Sequence, residues 1–70
     1  MISYKPFWDT LSKSTETTYS LIKKYHISSS TIDKLRKDKP LNTNSLDELC
    51  RIFNCQLSNI AEYISSNNTI

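Results

Sequence analysis

The sequence predicts an all-α fold, a compact five-helix bundle, and three observations predict it. Apolar residues recur at helical spacing in five short blocks, strand-like alternation is nearly absent, and residues suited to helix ends fall between the blocks. Seventy residues make one domain, and five helices in that length leave only short connections.

Phe7 and Leu11 lie four apart with Trp8 beside them, and Pro6 suits the first turn, where a missing N–H costs nothing. Ahead of them, Ile2 and Tyr4 alternate and extend the chain briefly. Leu21, Ile22 and Tyr25 form the second block behind Thr17, whose hydroxyl can accept from an orphan N–H. Ile32 and Leu35 form the third behind Ser28, and Lys39-Pro40 disfavours its continuation. Asn42 or Thr43 caps the fourth, in which Leu46, Leu49, Cys50 and Phe53 follow an i, i+3, i+4, i+7 stripe. Asn54 tolerates the left-handed conformation that ends a helix. Leu57, Ile60, Ala61 and Ile64 repeat the stripe and predict a fifth helix. The domain therefore spans residues 1–64, and residues 65–70 read as a polar, frayed tail.

Composition excludes several classes. Apolar residues make up 37% and charged residues 23%, as in a soluble globular domain. No apolar run approaches the roughly 20 residues that span a bilayer. The opening Met1-Ile2-Ser3-Tyr4-Lys5-Pro6 lacks the basic-then-apolar build of a secretion signal, so a cytoplasmic address is expected with no membrane partner. No glycine occurs, which rules out glycine-rich phosphate loops.

Cys50 and Cys55 read as reduced thiols near the core. A zinc site needs about four ligands, and one histidine with a Cys-x4-Cys pair falls short; no metal or other cofactor is expected. His26 has no cysteine or serine beside it to make a nucleophile pair. Asp47 and Glu48 are adjacent on a helix and point in different directions. The chain reads as a non-enzyme.

Charge is unevenly spread. Residues 23–39 carry Lys23, Lys24, Lys34, Arg36, Lys37 and Lys39 against Asp33 and Asp38, a local net of +4, within a chain whose total is +2. A charge cluster is usually a solvated face. Here it coincides with residues 17–36, which read as a helix, a sharp turn and a second helix. Leu21 and Ile22, Ile27 in the turn, and Ile32 and Leu35 point inward, fixing two helices at a steep angle. The turn position usually held by glycine is His26, among the better tolerated types at positive φ.

Three stretches now carry a resemblance: Tyr-Ser-Leu-Ile-Lys-Lys-Tyr-His-Ile-Ser-Ser-Ser-Thr-Ile, Leu-Asp-Glu-Leu-Cys-Arg-Ile-Phe-Asn-Cys and Ile-Ala-Glu-Tyr-Ile. Over residues 6–64 the chain resembles the short single-domain members of the Cro and phage-repressor helix-turn-helix family. That resemblance implies a phage-repressor-like bundle that binds double-stranded DNA as a sequence-specific transcriptional regulator, a repressor. It places helix 29–37 in the major groove, where base edges present a distinctive donor and acceptor pattern.

The residues facing bases are then Ser29, Ser30, Thr31, Asp33 and Lys34. Serine hydroxyls both donate and accept, so they discriminate weakly alone. Lys34 reaches either guanine or a phosphate; Asp33 either accepts from cytosine N4 or pairs with Lys37 one turn on. Phosphate contacts fall to Thr18, Tyr19, Ser28, Lys37, Lys39 and Asn42, with hydroxyls and exposed N–H groups at a helix start suiting a phosphate oxygen. Lys23 and Lys24 fit better as cations at a helix C-terminus, and most of Phe7, Trp8, Tyr25, Phe53 and Tyr63 as core, with Tyr19 the exception.

The resemblance implies a two-fold homodimer, formed free or only on DNA, which would double a basic face that is modest in one chain; Tyr63 and Ile64 of the last helix are its candidate interface. No small-molecule ligand is expected of a single small domain. The competing reading is a helix-turn-helix used for protein contact, as in an antitoxin or adaptor.

Overall fold

The computed structural model describes residues 1–65. In chain order it has β1 (Ile2–Ser3), α1 (Lys5–Ser12), α2 (Thr18–Tyr25), α3 (Ser29–Arg36), α4 (Thr43–Phe53), a 3-10 turn (Leu57–Asn59) and β2 (Glu62–Tyr63). β1 and β2 pair antiparallel, Ile2 opposite Tyr63 and Ser3 opposite Glu62.

Among the described residues four helices therefore stand where five were expected, and a two-stranded sheet pairs the segment ahead of α1 with the segment after the 3-10 turn. The fifth stripe fails for a reason visible in its carbonyls. A helix through residue 64 needs the Asn59 and Ile60 carbonyls to accept from Tyr63 and Ile64. Both are taken by α1: the Thr10 hydroxyl donates to Asn59 O at 2.8 Å and the Phe7 amide to Ile60 O at 3.2 Å. The Ile64 amide donates instead to Met1 O at 2.7 Å. Of the stripe only Ile60 reaches the core fully, at 0% exposure, while Leu57 is 54% exposed. Tyr63 and Ile64 are exposed at the sheet end of the molecule, not on a helix.

The core gathers Phe7 and Leu11 of α1, Leu21 of α2, Ile27, Ile32 and Leu35, Leu49 of α4, and Ile60. Trp8, Ile22, Tyr25, Leu46, Cys50, Phe53 and Ala61 pack against it half-buried, and Phe7 meets Trp8 and Phe53 edge-to-face. Tyr4 joins the core at 3% exposure, which its place in a brief extended stretch did not announce.

Without glycine, the described residues turn left-handed three times on other side chains: His26 at φ 60°, Asp38 at φ 53° and Asn54 at φ 50°. Each sits just past α2, α3 or α4. His, Asp and Asn tolerate this region better than other side chains. The reversal lets later amides satisfy the helix's orphan carbonyls. Lys39 N donates to Lys34 O at 2.9 Å, Cys55 N to Cys50 O at 3.0 Å, and Ile27 N to Leu21 O at 3.1 Å.

Candidate nucleic-acid interface

α2 begins with a reciprocal cap. The Thr17 hydroxyl accepts from Ser20 N at 3.1 Å, and the Ser20 hydroxyl accepts from Thr17 N at 2.9 Å. Serine thus replaces the Glu or Gln usual at the third helical position. The Ser20 hydroxyl donates in turn to Glu16 Oε1 at 2.7 Å. Glu16 also accepts from Tyr25 OH at 3.2 Å and pairs with Lys24 at 3.3 Å. The Ser20 hydroxyl foremost, then Lys24 and Tyr25, holds its carboxyl below the ordinary carboxylate range. One carboxylate thereby ties the first and last turns of α2 together.

Thr18 and Tyr19 occupy the first turn of α2, where the leading N–H groups have no intrahelical acceptor. Thr18 is half-buried and Tyr19 is 69% exposed, its ring 5.8 Å from the Lys23 ammonium. Three residues, His26, Ile27 and Ser28, separate α2 from α3. Left-handed His26 reverses the chain, and buried Ile27 anchors the turn in the core.

α3 is amphipathic by a simple division. Ile32 and Leu35 are buried, while Ser29, Ser30, Asp33, Lys34, Arg36 and Lys37 at its end are exposed. Ser28 caps it, accepting from Thr31 N at 3.1 Å, with the two hydroxyls 3.0 Å apart. Ser29 and Ser30 thus lead the helix into solvent, whereas Thr31 is half-buried and turned to the cap. Of the two readings of Asp33, the free chain adopts the ion pair: Lys37 Nζ lies 3.2 Å from its carboxylate, with both side chains over half exposed. An exposed i, i+4 pair of this kind contributes about 0.5 kcal/mol or less.

Beyond α3, the segment that carries Lys39 and Asn42 is fixed at both ends. Asp38 Oδ1 accepts from Tyr4 N at 3.0 Å, and Lys39 O accepts from Tyr4 OH at 2.7 Å. Burial pushes the Tyr4 phenol up, so it stays a donor. Asn42 caps α4, accepting from Ser45 N at 2.8 Å, which settles the choice between Asn42 and Thr43. Trp8 Nε1 donates to Leu35 O at 3.3 Å, and the Arg36 guanidinium sits 5.8 Å from the same indole. Arg36 thus turns from the basic cluster toward the body of the domain.

Ser28, Ser29, Ser30, Thr31, Asp33, Lys34 and Lys37 are therefore brought together by one helix and its caps. Thr18 and Tyr19 come from the start of the preceding helix, and Lys39 and Asn42 from the loop that follows. Sequence reasoning missed the roles of Tyr4 and Asp38, which hold that loop. The signal available was Asp38 between two lysines just past the third block, a residue type that tolerates positive φ.

Two short helices joined by a left-handed turn, the second buried on Ile32 and Leu35 and polar outside, define a helix-turn-helix protein. The model of the Cro/C1-type HTH DNA-binding domain matches residues 8–66, most of the chain, and the chain belongs to that family. No curated protein and no solved structure matches it at a significant level. Among the described residues no helix is long and apolar enough to cross a membrane.

Proposed function

We propose that this chain is a sequence-specific transcriptional repressor that lays α3 in the major groove of double-stranded DNA as a two-fold homodimer. The observation that carries the reading is the outer face of α3, where Ser29, Ser30, Asp33 and Lys34 are exposed while Ile32 and Leu35 anchor the helix. A helix of this width fits the major groove, and its leading residues meet base edges.

In this reading Ser29, Ser30, Thr31, Asp33 and Lys34 read bases. Thr18, Tyr19, Ser28, Lys37, Lys39 and Asn42 hold the phosphates on either side. Binding exchanges the Asp33–Lys37 pair: the ammonium turns to a phosphate and the carboxylate becomes free to accept from a cytosine amino group. No catalytic step is assigned to any residue, and the working compartment is the cytoplasm.

Dimerisation is supported by the sheet end. Met1, Ile2, Leu57, Tyr63 and Ile64 are exposed there, and Ile2, Leu57 and Tyr63 line one apolar groove of about 440 Å³. A contiguous exposed apolar patch marks a contact surface. Two copies double the basic face and answer the small net charge.

The test is fluorescence-anisotropy binding to a random-sequence duplex pool at about 50 and about 200 mM salt, with sequencing of the retained fraction. Salt-sensitive binding that enriches a palindrome is the expected result. Flat anisotropy at both salts would remove the DNA reading and move the function to protein contact through the sheet-end face. Light scattering with and without the selected duplex tests the dimer, and a monomer in both removes it.

A further inference from the structure

The end of α4 carries a feature that DNA reading does not use. The helix stops at Phe53, Asn54 turns left-handed, and the Cys55 amide reaches back to the Cys50 carbonyl at 3.0 Å. A closure of this kind sets the side chains of its first and last residues against each other. Here the two residues are both cysteines, Cys50 and Cys55, each packed against the core. That backbone hydrogen bond draws the two residues together at the helix end, where a disulfide would need to span only a short gap.

Both thiols are free, half-buried and packed on the core. Each also opens to its own surface depression, Cys50 beside Thr43 and Asp47, Cys55 beside Pro6 and Lys13. A small oxidant can therefore reach the pair without unfolding the domain.

We propose that Cys50 and Cys55 form a dithiol that a hydroperoxide converts reversibly into an intramolecular disulfide, closing the end of α4 covalently. The Cys50 thiolate attacks one peroxide oxygen; the O–O bond breaks, and the departing hydroxide takes a proton to leave as water. Cys50 is now a sulfenic acid. The Cys55 sulfur attacks the Cys50 sulfur, the S–S bond forms, the S–O bond breaks, and hydroxide leaves with the Cys55 proton as a second water. Two thiols and one hydrogen peroxide give one disulfide and two waters. Burial foremost, with the neighbouring Cys50 adding to it, pushes the Cys55 thiol up, which disfavours Cys55 as the first nucleophile. Glutathione or a dithiol reverses the reaction by exchange.

The cross-link falls in the corner where the Asn59 and Ile60 carbonyls hold α1. It therefore ties α4 to the segment that leads into β2.

The experiment exposes the reduced full chain to stoichiometric hydrogen peroxide, alkylates remaining thiols and reads the intact mass. A second arm equilibrates the chain in glutathione redox buffer, native and in concentrated guanidinium. The expected product is a monomer lighter by two hydrogens and carrying no alkyl group, absent in Cys50→Ser and Cys55→Ser. If the backbone closure at the end of α4 holds the two thiols near each other, the native equilibrium constant for the disulfide should exceed the unfolded one by about tenfold or more. Two alkylated thiols after peroxide, glutathione adducts on the native chain, or a native constant no larger than the unfolded one would each overturn the proposal.

Discussion

The hydroxyl of Tyr4 donates to the backbone carbonyl of Lys39 at 2.7 Å, across 35 residues of sequence. The entry to α1 thereby holds the loop that leaves α3. Tyr4→Phe keeps the buried ring and removes only that bond, at about 1 kcal/mol. A melting temperature lower by about 4–8 °C is expected, with weaker DNA binding if Lys39 grips a phosphate. An unchanged melt would show that the bond adds nothing to stability.

The pair Asp33–Lys37 separates two kinds of contact. Lys37→Ala should weaken binding to every duplex alike and flatten the salt slope by about one unit. Ser29→Ala and Asp33→Asn should instead relax preference at individual base pairs, each by about 1–3 kcal/mol at most. Binding isotherms on the selected duplex and its single-base variants check this. Uniform losses from all three variants would dissolve the division between base and phosphate contacts.

Left-handed residues give opposite expectations for one substitution. His26 is exposed at φ 60°, and His26→Gly relieves a conformation that disfavours any Cβ, raising stability by about 0.5–1 kcal/mol. Asp38→Gly gains the same relief but loses the carboxylate that accepts from Tyr4 N at 3.0 Å, leaving a half-buried donor without its partner. Urea melts should order the variants His26→Gly, parent, Asp38→Gly from most to least stable.

Glu16 gives a pH dependence. Its carboxyl lies below the ordinary value of 4.5 in the folded chain, chiefly through the Ser20 hydroxyl. A depressed carboxylate stabilises the fold fully above its unfolded value, and the contribution is lost as pH falls through the folded one. The stability gap between the parent and Glu16→Gln should therefore be open at neutral pH and close on acidification below about 4.5. Thermal melts across that range measure it; a gap independent of pH would mean the charge is not what Ser20, Lys24 and Tyr25 hold.

Much of this architecture was legible in the chain. Thr17, Ser28 and Asn42 cap the helices they precede, because an N-cap is a local exchange between one side chain and an amide three residues on. His26 and Asn54 turn left-handed where expected, because tolerance of positive φ belongs to the residue type. The amphipathic division of α3 is equally local. Asp38 escaped notice because the amide its carboxylate accepts from, Tyr4 N, lies far away in sequence.

The last stripe marks the boundary between the two kinds of information. Leu57, Ile60, Ala61 and Ile64 have helical spacing, and an isolated segment has no reason to break it. The break comes from Phe7 and Thr10, which occupy the carbonyls a helix would have used, and from Met1 just ahead of β1, whose carbonyl accepts from the Ile64 amide instead. The sequence by itself determined where helices begin, where the chain can reverse and which residues of α3 face outward, since each depends on neighbours within about one helical turn. Only the tertiary structure decided that the final segment becomes a 3-10 turn and a strand, that Tyr4 is core, and that Asp33 pairs with Lys37 in the free chain. The first two are competitions for hydrogen bonds and burial between residues far apart in the chain. The third is a local pairing one helical turn apart that the sequence left as one of two options, and it describes the free chain only.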